Sequence, residues 1–139
     1  SAYLKHLIGT VRGLGARGRC VIVGRGASFI LPPETTLRVR LVAELKDRIK
    51  AIGRLRGISD REAERWIELT DAARIQFVKR NFGKDPANPL HFDLVLNTSR
   101  LTPAECAETI IRAMLVMEER VPVEKEQALP EPALAGARL

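Results

Sequence analysis

Three short apolar runs, each separated from the next by enough chain for a crossover, constrain the fold more than any other feature. Residues 20–23 read CVIV, a continuous β-branched run bounded by Gly18 and Gly24, as expected for a strand buried on both faces. Residues 36–43, TLRVRLVA, resume after Pro32-Pro33 breaks the chain, and their alternation sets Leu37, Val39 and Leu41 against Arg38 and Arg40. Residues 91–97, HFDLVLN, follow a loop over residues 83–90 that carries two prolines. The spacing predicts parallel strands, because a parallel pair needs a crossover where an antiparallel pair needs only a turn.

Helical spacing fills the intervals. Tyr3, Leu4, Leu7, Ile8, Val11 and Leu14 share a face over residues 3–16, and Gly13, Gly15 and Gly18 end it. Residues 45–56 form a basic amphipathic helix closed by Gly57, a residue suited to a left-handed cap. Ser59 with Glu62 is a capping-box pattern that opens a long helix reaching Phe82. Its apolar stripe is Ala63, Trp66, Ile67, Thr70, Ala73, Phe77 and Val78. Its charged stripe is Arg61, Arg65, Arg74, Lys79 and Arg80.

Thr102-Pro103 with Glu105 is a second capping box. The helix behind it is expected to end near Glu119, with Cys106, Ile110, Met114 and Met117 facing inward. The expected fold is α/β, a parallel sheet flanked by helices, in one domain over residues 1–119. Residues 120–139 mix Pro, Ala and Glu without apolar periodicity and read as a disordered tail or linker.

Composition narrows the class. At 139 residues and 45% hydrophobic, the chain is long enough for one core, which 4% aromatic residues leave mainly aliphatic. No apolar run approaches the roughly 20 residues that span a bilayer, and no secretory signal opens the chain, so the reading is cytoplasmic. The chain starts at Ser1 without a Met, which suggests a fragment. Cys20 and Cys106 lack metal-type spacing and are expected to be buried, reduced thiols; no residue is nominated as a metal ligand. The net charge of +6 comes mostly from arginine. It fits either phosphate binding or a solubilising surface.

Gly24, Arg25 and Gly26 stand at the carboxyl end of the first expected strand, where open α/β sheets bind ligands. Glycines let backbone N–H groups approach an oxyanion and an arginine supplies a charged fork; a plain structural turn fits the same residues equally well. Asp71 and Arg74 share a helix face at i,i+3 spacing, where a surface ion pair worth under about 1 kcal/mol is the simplest expectation. Arg38 and Arg40 suit an edge strand, a solvated face, a salt-bridged cover or a site-facing surface.

Taken together and in this order, VIVGRGAS, LRVRLVA, the basic helix, DAARIQFVKRNFG and FDLVLNTSRLTPAECAETI resemble the cytidylate kinase-like family of P-loop nucleoside monophosphate kinases, from about Arg19 to Met114. The resemblance implies ATP-dependent phosphoryl transfer to a nucleoside monophosphate, assisted by Mg2+. It implies a P-loop NTPase topology as well. In cytidylate kinases the segment matching VIVGRGAS reads Asp-Gly-Arg-Asp-x-Gly, and its arginine and second aspartate hold the acceptor nucleotide. Arg25 falls on that arginine, whereas Val23 and Gly26 replace the aspartates, which leaves a preference for CMP open. The resemblance assigns Gly24, Arg25, Gly26 and Asp71 to substrate binding, and Arg48, Arg74 and Arg80 to a lid that closes over the phosphates.

One departure is large: no Gly-x-x-x-x-Gly-Lys-Ser/Thr loop occurs in the sequence. The resemblance puts that loop's strand centrally, between the strands at 20–23 and 37–42. Two explanations fit. The chain is the carboxyl-terminal part of a longer kinase, the reading favoured here, or a degenerate module that fills the gap by homo-oligomer formation or strand exchange. Either way the segment alone is expected to be inactive, to bind nucleotide weakly and to hold no ATP or Mg2+. A non-catalytic regulatory or protein-interaction domain is the main competing function. Nucleic-acid binding ranks last, because aromatic side chains for base stacking are few.

Overall fold

Parallel pairing of the second and third apolar runs organises the structure, a computed structural model that describes residues 1–127. Strand β1 (Val39–Val42) pairs with β2 (Leu94–Asn97) in the register Val39 to Leu94 through Val42 to Asn97. Both strands are shorter than the apolar runs that predict them. At their start, the Asp93 and Leu94 amides both donate to the Arg38 carbonyl, and the Arg38 guanidinium forks onto the two Asp93 oxygens at 3.2 and 3.0 Å. At their end, the Thr98 amide donates to the Val42 carbonyl at 2.8 Å and the Glu44 amide to the Ser99 hydroxyl at 2.8 Å. These clasps fix the register.

Helix α1 (Ala2–Arg17) is followed by a short helix α2 (Ala27–Ile30), which periodicity alone did not predict. The two pack together, and a Cβ at Gly15 would collide with Leu31. Helix α3 (Leu45–Arg56) leaves β1 and turns at Gly57 into α4 (Asp60–Phe82). The Ser59–Glu62 capping box forms as predicted. Arg56 lies over the Trp66 ring at 4.4 Å and Arg48 pairs with Asp71, so the helices run antiparallel as a hairpin. Ala63 and Ile67 are among its buried residues. Helix α5 (Pro103–Gln127) follows β2.

Several expectations are corrected. Residues 20–23 form no strand: they are irregular, and Val21 and Val23 are 91% and 87% exposed. A strand is a property of a pair, and among the described residues none lies alongside this run. Cys20, expected to be buried, is exposed, with its thiol directed at the Leu14 carbonyl; Cys106 is buried as expected. Helix α5 runs to Gln127, past the expected end near Glu119, and residues 128–139 of the expected tail lie outside the described residues. Met114 and Ala73 are exposed rather than inward-facing.

The buried apolar core among the described residues is small: Val11, Ala27, Ala63, Ile67, Val78, Leu96 and Cys106. All four phenylalanines gather beside it. Phe29 of α2 stacks on Phe82 at 5.8 Å and meets His91 and Phe92 edge-on at 5.5 and 6.3 Å, while Phe77 meets Phe82 at 6.0 Å. Each such pair adds about 0.5–1.5 kcal/mol beyond area burial. The cluster ties α2 to the end of α4 and to the entry of β2.

Candidate functional site

Two arginine-bearing sites bear on the reading, one on the α3–α4 hairpin and one at the turn before α2. Arg48, one turn into α3, donates through Nη2 to Asp71 Oδ1 at 2.8 Å and lies 2.7 Å from Oδ2 in the ion pair. Arg74 approaches the same carboxylate at 3.8 Å, one turn along α4. Arg48 and Asp71 are about one-third exposed, Arg74 more than two-thirds. The expected i,i+3 pair therefore exists, but it is the looser contact. The closer partner comes from the neighbouring helix.

With two guanidinium groups on one carboxylate, this cluster keeps a net positive charge on the hairpin. Desolvation is too slight for the ion pair itself to contribute more than about 1 kcal/mol. The arrangement holds cationic groups from two helices at one place. Arg80, further along α4, is exposed and makes no ion pair among the described residues.

The second group is the turn Gly24-Arg25-Gly26. All three residues have left-handed backbones, with φ of 74°, 56° and 69°. Glycine adopts this conformation readily, whereas for a residue with a Cβ it costs roughly 1–2 kcal/mol. The Ala27 amide donates to the Gly24 carbonyl at 3.1 Å and the Phe29 amide to the Gly26 carbonyl at 2.9 Å. Arg25 is exposed, and its side chain makes no hydrogen bond or ion pair among the described residues. The left-handed backbone of Arg25 is therefore not offset by any side-chain hydrogen bond or ion pair among the described residues.

Arg38 and Arg40, left open between four settings, resolve differently. Arg38 is the salt-bridged one: its hydrogen bonds with Asp93 hold that carboxyl below the usual carboxylate range and raise its own pKa. Arg40 is half-buried, donates to the Pro86 carbonyl at 2.7 Å and lies 5.8 Å from the Phe92 ring centre. Both serve the fold. The aromatic cluster was missed because its members are scattered along the chain; the only signal was that so few aromatic residues exist to build it.

A profile of the cytidylate kinase-like family matches residues 2–100. The chain belongs to the cytidylate kinase-like family. It is 35% identical over 101 residues to a protein of Ignicoccus hospitalis named cytidylate kinase, covering 71% of this chain and 58% of that one. It is 29% identical over 118 residues to a Methanopyrus kandleri protein of the same name, covering 78% of this chain and 61% of the relative. The chain thus spans about three-fifths of the length of these relatives.

Kinases of this family act with ATP and Mg2+. Among the described residues no three His, Cys, Asp or Glu side chains converge, and the Asp71 carboxylate pairs with Arg48 and, more loosely, with Arg74. Among the described residues no helix is long and apolar enough to cross a membrane.

Proposed function

We propose that this chain is the acceptor-binding and lid portion of an ATP-dependent nucleoside monophosphate kinase. In this reading Arg25 binds the acceptor nucleotide, with Gly24 and Gly26 allowing its turn. Arg48, Arg74 and Arg80 face the phosphates from the α3–α4 hairpin. Asp71 acts differently from the sequence-based expectation: it orients Arg48 and Arg74 rather than touching the substrate. The observation that carries the reading is Arg25, exposed and without a hydrogen bond or ion pair among the described residues in a left-handed backbone, at the position that the sequence resemblance assigns to an acceptor arginine.

The chemistry follows from charge. A phosphoryl group in flight spreads negative charge over its oxygens, and guanidinium groups already held in place stabilise that charge without reorganising. A hairpin that closes also excludes water, which would otherwise compete as acceptor. The donor phosphates, Mg2+ and the P-loop fall to the rest of a longer, cytoplasmic protein, whose P-loop strand would line the open edge of β1. CMP is the acceptor suggested by the relatives' names, while Val23 and Gly26 in place of two aspartates argue for a looser base preference.

Equilibrium binding to the full-length protein tests this assignment. A nucleoside monophosphate should bind, its affinity should fall with rising salt, and Arg25→Ala should weaken it at least tenfold. Equal affinity in the wild type and the variant would remove Arg25 from the site.

A further inference from the structure

The Arg25 side chain makes no hydrogen bond or ion pair among the described residues, so its position is set through the turn that carries it. One residue of that turn is Gly26. An ideal Cβ built there would lie 2.5 Å from Cε2 of Phe82 and 3.1 Å from its Cζ, so the ring is seated directly on the backbone of the turn. On the other side, the Phe29 amide donates to the Gly26 carbonyl at 2.9 Å. The Phe29 ring then stacks on Phe82 at 5.8 Å with its plane inclined by 22°. The turn is held between a backbone hydrogen bond to α2 and an aromatic ring at the end of α4.

That ring also sits on the helix that carries the hairpin arginines: Phe82 is the last residue of α4, the helix of Asp71, Arg74 and Arg80. His91 and Phe92, meeting Phe29 edge-on, tie the same cluster to the entry of β2. One aromatic cluster therefore fixes the turn relative to both the lid helix and the sheet.

We infer that Phe82, backed by Phe29, is a positioning residue that sets where the Arg25 guanidinium meets the acceptor phosphate and registers that turn against α4. The inference rests on the reading of Arg25 as an acceptor contact. Displacing the ring lets the turn shift, and a shift of about 1 Å at a binding group lowers rates up to a hundredfold. Phe82→Leu removes the flat ring that abuts Gly26, whereas Phe82→Tyr keeps it.

The test is a double-mutant cycle on the full-length protein, reading KM separately for the acceptor nucleotide and for ATP. Phe82→Leu is expected to raise the acceptor KM about tenfold and to leave the ATP KM nearly unchanged, with Phe82→Tyr close to wild type. In an Arg25→Ala background, Phe82→Leu should add nothing to the acceptor KM, because the residue through which it acts is gone. A purely structural role would reduce the active fraction, and so kcat, while leaving KM alone.

If Phe82→Leu does not fold, Phe29→Leu, on the far side of the stack, is read by the same criteria. An unchanged acceptor KM in the leucine variant, with Arg25→Ala still impaired, overturns the positioning role alone. Effects of Phe82→Leu and Arg25→Ala that multiply also overturn it. An Arg25→Ala variant with wild-type acceptor KM overturns the acceptor assignment and the positioning role with it.

Discussion

Replacing Arg25 with glycine should separate binding from folding. Arg25 holds a φ of 56° between two left-handed glycines, and its side chain makes no hydrogen bond or ion pair among the described residues. Glycine relieves a backbone cost of roughly 1–2 kcal/mol. Against this, the unfolded chain gains freedom worth about 0.5–1 kcal/mol. The net is a change between about zero and +1.5 kcal/mol, a rise in Tm of at most roughly 6 °C for a domain of this size. Arg25→Ala keeps the strain and should leave Tm near the wild-type value. With Arg25 as the proposed acceptor contact, both variants should lose a charge-assisted hydrogen bond to phosphate worth about 1.5–3 kcal/mol, so acceptor affinity should drop roughly 10- to 150-fold. Thermal melts followed by acceptor titration of the full-length protein read both quantities. An Arg25→Gly variant destabilised by more than about 1 kcal/mol would show that the side chain supports the turn, and one that binds acceptor normally would remove Arg25 from the site.

Other perturbations address the remaining elements. Asp71→Asn releases Arg48 and Arg74 from their common partner and should lower turnover about tenfold with a stability loss under about 1 kcal/mol; a larger loss of stability than of activity would contradict an orienting role. Asp93→Asn breaks the fork with Arg38 at the start of the sheet and should cost about 1–2 kcal/mol by denaturant titration. The Asp93 pKa is lowered in the fold, first by the Arg38 side-chain hydrogen bond, so its contribution is present above the unfolded value and is lost as pH falls below about 4. The variant should show less of that acid-side loss than wild type. Cys20 is exposed and Cys106 buried, so a thiol reagent should label Cys20 at once and Cys106 only on unfolding; equal rates would contradict the placement.

Signals confined to a few neighbouring residues were legible in the sequence, and those that depend on distant partners were not. The Ser59–Glu62 box and Gly57 bound the hairpin helices because caps are local hydrogen-bonding events, and both occur as predicted. The parallel pairing of β1 and β2 followed from chain separation and apolar pattern. The run at 20–23 has the composition of a strand, yet no described segment lies beside it to make it one. At the site, the i,i+3 spacing of Asp71 and Arg74 revealed the weaker of two contacts, since the tighter one, to Arg48, depends on how two helices fold against each other. The phenylalanine cluster is likewise a product of tertiary packing. Arg25 stood out in the sequence, but its left-handed backbone did not, because glycine neighbours permit that conformation without requiring it.

Turnover of the full-length protein tests the proposed phosphoryl transfer without an intermediary. Incubated with ATP, Mg2+ and each of the four common nucleoside monophosphates in turn, it should form a nucleoside diphosphate from at least one, CMP being the first to try. Arg25→Ala and Arg74→Ala should each slow that product. No nucleoside diphosphate from any acceptor would contradict the account.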